Sequence, residues 1–151
     1  RVIMQTAPGR KELSHDRIVE AAARAIRRAG YQGVGVADVM CEAGLTHGGF
    51  YAHFASRDAL LVEAIERAGR DGGALDAAIN RHRARGLCEF AALLLAYLSE
   101  GHVQNPERGC VVAALSSETA RQSEPVKEAL RARVQALIAR VEEALPAGAE
   151  A

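Results

Sequence analysis

The side chains of this chain with the richest chemistry are five histidines, three cysteines and a polar, glycine-rich stretch that begins at Thr46. His15, His47, His53, His82 and His102 show no His-Glu-x-x-His pair, and the cysteines are not paired, so neither group has the spacing that brings ligands to one metal ion. No Gly-x-Ser-x-Gly elbow is present to expose a nucleophile, and no glycine-rich phosphate loop follows a strand. The chain reads as neither an enzyme nor a metalloprotein, and no cofactor is expected. Cys41, Cys88 and Cys110 are odd in number, widely spaced and set among apolar neighbours. That pattern points to reduced, structural thiols and a cytoplasmic home rather than to a disulfide framework.

The stretch at residues 44–54, Gly-Leu-Thr-His-Gly-Gly-Phe-Tyr-Ala-His-Phe, carries a different chemistry. Gly44 supplies the left-handed residue that turns the chain after a short helix. Thr46 can cap a following helix over residues 46–54. Gly48 and Gly49 each disfavour that helix by roughly 1 kcal/mol relative to alanine. They make sense where a backbone must approach something closely, and the edge of a DNA groove is such a place. Phe50 and Phe54, four apart, are expected in the core. Thr46, His47, Tyr51 and His53 are then left for DNA, and Arg57, at the first turn of the next helix, is placed for a phosphate. Two short helices joined by a glycine turn form a helix-turn-helix.

The elements around this stretch follow from apolar periodicity. Residues 1–13 lack it, contain Pro8-Gly9, and read as a basic arm carrying Arg10 and Lys11. Ser14 is the expected cap of a first helix with Ile18, Ala22, Ala25, Ile26 and Ala29 on one face, ended by Gly30. Val36, Val39, Met40 and Ala43 mark a second short helix. Ser56 caps another, with Leu60, Leu61, Ala64, Ile65 and Ala68 as its stripe. Gly69 and Gly72-Gly73 mark the boundary, which divides the chain at 1–70 and 71–151. Beyond it, helices are expected over residues 75–83, 87–98, 110–119 and 125–145, with residues 100–109 as a loop. The segment 87–98 is apolar nearly all round and reads as a central buried helix.

Composition agrees with an all-α protein: 49% of residues are hydrophobic, only 4% are aromatic, and alanine, leucine, arginine and glutamate abound. The formal net charge is zero, so no global basic signal advertises nucleic acid. Residues 1–70 nevertheless hold ten Arg and Lys against eight Asp and Glu, a mild local excess. The best apolar run, residues 90–98, is too short to span a bilayer, so no membrane is expected. Since the chain opens at Arg1 rather than Met, it is expected to be incomplete at its start.

Around residues 44–63 the run AGLTHGGFYAHFASRDALLVEAI resembles the DNA-binding region of the TetR family of bacterial transcriptional regulators. The turn glycine, the polar-Gly leading end, Tyr-x-His-Phe and Ser-Arg-Asp carry the likeness, which extends over about residues 12–67. Gly35 and Met40 depart from it, standing where Ser or Thr and Ala are usual. The resemblance implies a repressor that binds a palindromic operator as a homodimer. Thr46, His47, Gly48 and Gly49 would approach bases or phosphates, and Tyr51, His53 and Arg57 would hold the backbone. A weaker likeness, through Tyr97, Asn105-Pro106, Gly109-Cys110 and Glu118, is to the regulatory domain of one branch of that family. It implies a small-molecule effector, largely apolar, in a pocket formed by Phe90, Leu94, Tyr97, Val111 and Leu115. Glu89 and Glu118 add the expectation that a cation is tolerated near it. Two further helices usually build the family's dimer interface, so the second domain is expected to be incomplete at its C-terminus. A helical protein-binding adaptor and a cysteine redox-sensing regulator are the competing readings.

Overall fold

The computed structural model describes residues 9–146 and Gly148. Residues 1–8, most of the expected basic arm, lie outside the described residues. Among the described residues the chain is all-helical.

Helix α1, Arg10–Ala29, begins one turn earlier than Ser14 leads one to expect. Glu12 explains this, because its carboxylate accepts the Gly9 backbone N–H at 2.8 Å and starts the helix there. Arg10 and Lys11 are therefore helical rather than part of an arm. Ile18, Ala22, Ala25 and Ile26 face inward as their spacing demands. Small alanines let other elements approach closely, and α1 packs against α2 (Val36–Glu42), α3 (Arg57–Arg70) and α7 (Val111–Leu115). Arg27, 4% exposed, closes one end of this packing. Its guanidinium donates to the carbonyls of Ala23 and Ala68 and to the Asp71 carboxylate at 2.9 Å, so the buried charge is paired.

Gly30 ends α1 at φ 68° and ψ −169°, a region that only glycine populates readily. A Cβ there would stand 2.6 Å from the Glu118 carboxylate. Tyr31 follows, fully buried; its backbone N–H donates to Glu118 at 3.3 Å and its hydroxyl meets Thr119 at 2.9 Å.

Past Arg70 come α4 (Gly73–Ala84), α5 (Glu89–Tyr97), α6 (Glu100–Val103), α7 and α8 (Glu124–Ala144). One buried cluster runs through α1, α2 and α3 and on into Val111, Leu115, Val126 and Leu130, so the main core crosses the boundary expected at residue 70. A smaller cluster joins Ile79 of α4 to Ala92, Leu93 and Ala96 of α5 and Ala144 of α8.

Several expectations for this half are corrected. Helix α5 is not central: Leu94 and Leu95 are 41% and 51% exposed. Its neighbours α4 and α8 cover one side only, and an all-apolar helix leaves its other side open. Residues 100–109 are not a loop but hold α6, capped by Ser99, and a 3₁₀ turn at Pro106–Arg108. Helix α7 is shorter than residues 110–119. The Ser116 and Thr119 hydroxyls bond back to the carbonyls four residues earlier, and a 3₁₀ turn at Thr119–Arg121 follows. Cys41 and Cys88 are exposed rather than set in apolar surroundings.

Replacing Gly30 with alanine should destabilise the fold by about 1–3 kcal/mol in chemical denaturation, through backbone strain and displacement of Glu118. Gly86→Ala, at φ 87° with open space around it, should lose less.

Candidate nucleic-acid interface and effector cavity

Helix α2 ends in a closed turn. The Leu45 N–H reaches back to the Met40 carbonyl and the Gly44 N–H to that of Cys41, both at 2.9 Å, with Gly44 at φ 70°. This is the Schellman pattern, which needs a left-handed residue at Gly44. The chain leaves it at Thr46 in an extended conformation and winds into a 3₁₀ helix, His47–Ala52.

The tighter winding corrects the α-helix expected over residues 46–54, and the Thr46 side chain makes no capping hydrogen bond. Two adjacent glycines weaken α-helix formation, and a segment this short cannot nucleate by itself. Phe50 and Phe54 hold it instead. Both are buried, their rings stacked at 5.5 Å. The His15 ring stacks on Phe54 at 4.5 Å and hydrogen-bonds Glu63 at 2.6 Å, which ties the segment to α1 and α3.

The outward face carries most of the residues singled out from the sequence. Thr46, His47 and Gly48 are exposed, and Tyr51 is 78% exposed. Gly49 is half-buried over Met40. Neither glycine is required by the fold. Their backbones are not left-handed, a Cβ at Gly48 would meet nothing within 4 Å, and one at Gly49 would make ordinary contacts at 3.7 Å.

His53 is half-buried, its Nδ1 enclosed without a hydrogen-bond partner. Burial, with the neighbouring His15 and Lys11 charges, lowers its pKa, so the ring is held neutral. Arg57 is turned inward. Its Nε donates to the Val34 carbonyl at 3.0 Å and a terminal nitrogen to that of Tyr31, and the other terminal nitrogen makes no hydrogen bond among the described residues.

Two cations of α1 lie beside this segment, Arg17 and the Lys11 expected in the basic arm. The Arg17 guanidinium lies against Gly44, 2.6 Å from where a Cβ would stand, and Lys11 is close enough to His53 to act on its charge. Neither has a carboxylate partner among the described residues. In the sequence Arg17 is only a polar position on α1, whereas Lys11 belongs to the expected basic arm.

A cavity of about 170 Å³ opens between the end of α3 and helices α4, α5, α7 and α8. Of the five residues expected to line it, Tyr97 and Val111 do. Phe90 packs in the smaller cluster, Leu94 points to solvent, and Leu115 is sealed in the main core. The all-round apolar character of residues 87–98 gave no face to choose. Glu89 pairs with Arg83 and Glu118 with the Tyr31 N–H, so neither brings negative charge to the cavity.

Residues 18–64 match the family described as bacterial regulatory proteins, tetR family. That match spans the α1–α3 region, which is thus similar to the DNA-binding part of that family. No curated protein matches it. Among solved structures, a TetR-family transcriptional regulator from Agrobacterium tumefaciens superposes with TM-score 0.68 at 22% identity, covering 89% of this chain and 72% of that one. Another from Streptomyces coelicolor gives 0.62 at 24% identity, covering 87% and 69%. AibR in complex with isovaleryl coenzyme A and operator DNA gives 0.54 at 20% identity, also covering 87% and 69%. At these identities the likeness is one of fold, and the chain shares their helical architecture. No helix among its described residues is long and apolar enough to cross a membrane.

The depressed His53 pKa has a measurable consequence. The unfolded chain binds this proton more readily than the folded one, so stability contributed by His53 falls as pH drops below about 6.5. An NMR titration should show His53 protonating below the ordinary histidine range.

Proposed function

We propose that this chain is a transcriptional regulator of the TetR family, a repressor that binds a palindromic operator as a homodimer and is released by a small-molecule effector. Each subunit lays the His47–Ala52 segment in a major groove, and Thr46 and His47 read base edges there. The observation that carries this reading is the pair of glycines at its leading end. The fold itself makes no use of Gly48 and Gly49, yet each opposes helix formation by roughly 1 kcal/mol. A partner's close approach accounts for them.

Tyr51 and His53 contact phosphates beside this segment. Arg17 and Lys11 supply nearby positive charge. Arg57 acts chiefly as a positioning residue and offers its remaining nitrogen to the backbone. The exposed apolar side chains Leu94, Leu95, Leu98 and Ile138 give a second copy surface to cover. The reading assigns no catalysis, and a cytoplasmic location follows from work on chromosomal DNA. AibR, a relative by fold, has been captured with a coenzyme A thioester and operator DNA, which supports the pairing of an operator with a small effector.

The decisive measurement is an electrophoretic shift with DNA flanking the gene for this chain. A salt-sensitive, sequence-dependent shift is expected, and its absence at every flanking fragment would sink the proposal. Tyr51→Ala should weaken binding to all sequences alike and flatten the dependence on salt, the signature of a lost phosphate contact. His47→Ala should instead change the base-by-base preference of the site. An unchanged profile would remove it from base reading.

A further inference from the structure

The charges that line the effector cavity do not cancel. Asp71 is committed to the buried Arg27 at 2.9 Å, and Arg140 to Asp76. Arg108 and Arg133 remain, and neither has a carboxylate partner among the described residues. Arg108 is exposed, where water satisfies it. Arg133 is half-buried, and its Nε is wholly enclosed with no hydrogen-bond partner.

That arrangement is held by packing. The Arg133 stem crosses α3 at Gly69 so closely that a Cβ on Gly69 would stand 2.2 Å from its Cδ. A desolvated donor on a guanidinium, left unpaired, is unfavourable, and an anion in the cavity relieves it. Around it the wall is apolar, with Leu75, Leu93, Val111 and Leu137. Tyr97 adds a phenol that burial and the adjacent Cys110 keep protonated, its pKa pushed up to about 12, so it can donate a second hydrogen bond.

We propose that this cavity binds a small organic acid, whose carboxylate pairs with the Arg133 guanidinium while its apolar body lies against Leu75, Leu93, Val111 and Leu137. One half-buried, unpaired cation matches one negative charge, and the size of the cavity suits a short chain. The cation tolerance expected from Glu89 and Glu118 is reversed. The inference rests on the effector reading only for its consequence at DNA, because acid binding can be measured on the free protein.

The test is calorimetric titration of the full chain with hexanoate, hexanol and hexylammonium, which share one apolar tail. Hexanoate should bind at least tenfold more tightly than either of the others. Arg133→Met should weaken hexanoate at least tenfold and leave hexanol unchanged, and Arg133→Lys should recover part of the loss. Equal binding of the three probes, unaltered hexanoate affinity in Arg133→Met, or no binding by hexanoate would overturn the proposal. If Arg133→Met does not fold, the wild-type ranking alone decides. Operator shifts read the other hypothesis separately. Hexanoate that binds without changing operator affinity removes effector release but keeps the acid site, and an operator shift without acid binding does the reverse.

Discussion

Tyr31 has every hydrogen-bonding group of its own committed to another part of the chain, and the two halves of the molecule meet there. The ring is fully buried, so an unmet polar atom would be costly. Its N–H goes to Glu118 and its hydroxyl to Thr119, both beyond α7, while its carbonyl accepts from Arg57 at the start of α3. Gly30 is what lets Glu118 come so near. The orientation of α3, and with it the 3₁₀ segment that leads into it, is therefore fixed partly by Glu118 and Thr119, far beyond α3 in sequence.

The shared core extends this dependence. Helix α7 contributes Val111 to the cavity wall and Leu115 to the main core, and the turn that follows it delivers Glu118 and Thr119 to Tyr31. Likewise α3 carries Gly69 at the cavity and Leu60 and Leu61 in the core that also holds Phe50 and Phe54. The elements that bound the cavity thus share a core with the His47–Ala52 segment. Contiguous packing of this kind transmits a bias only if a ligand binds two arrangements with different affinity.

Much of this was legible in the residues. The stripe of α3, that of α1 apart from the exposed Ala29, the turn at Gly44, the Ser56 cap and the inward Phe50 and Phe54 all follow from local spacing, and local spacing is what periodicity reports. The failures share a cause, since each depended on contacts distant in sequence or on competing local bonds. Ser14 lost the helix start to Glu12 reaching Gly9. The 3₁₀ winding at His47–Ala52 reflects anchoring by two phenylalanines rather than propensity. Arg57 turned inward because two carbonyls of the α1–α2 connection lie within its reach. The cavity lining was missed because α5 is apolar on all sides, which conceals which side faces α8. Arg17 gave no signal at all, because nothing in the sequence says that its side chain reaches Gly44.

The reading segment also has a consequence for how such a protein can change. Its winding is maintained from beneath, by Phe50, Phe54 and the His15 ring, while Thr46, His47, Gly48 and Tyr51 stand clear above it. On the proposed reading, stability and recognition are thus written on opposite faces of the same few residues. Thr46, His47 and Gly48 stand exposed, whereas Tyr51 also meets the Phe50 ring edge-on at 5.2 Å, so new sequence preferences can arise at the first three with little repair of the fold after each step.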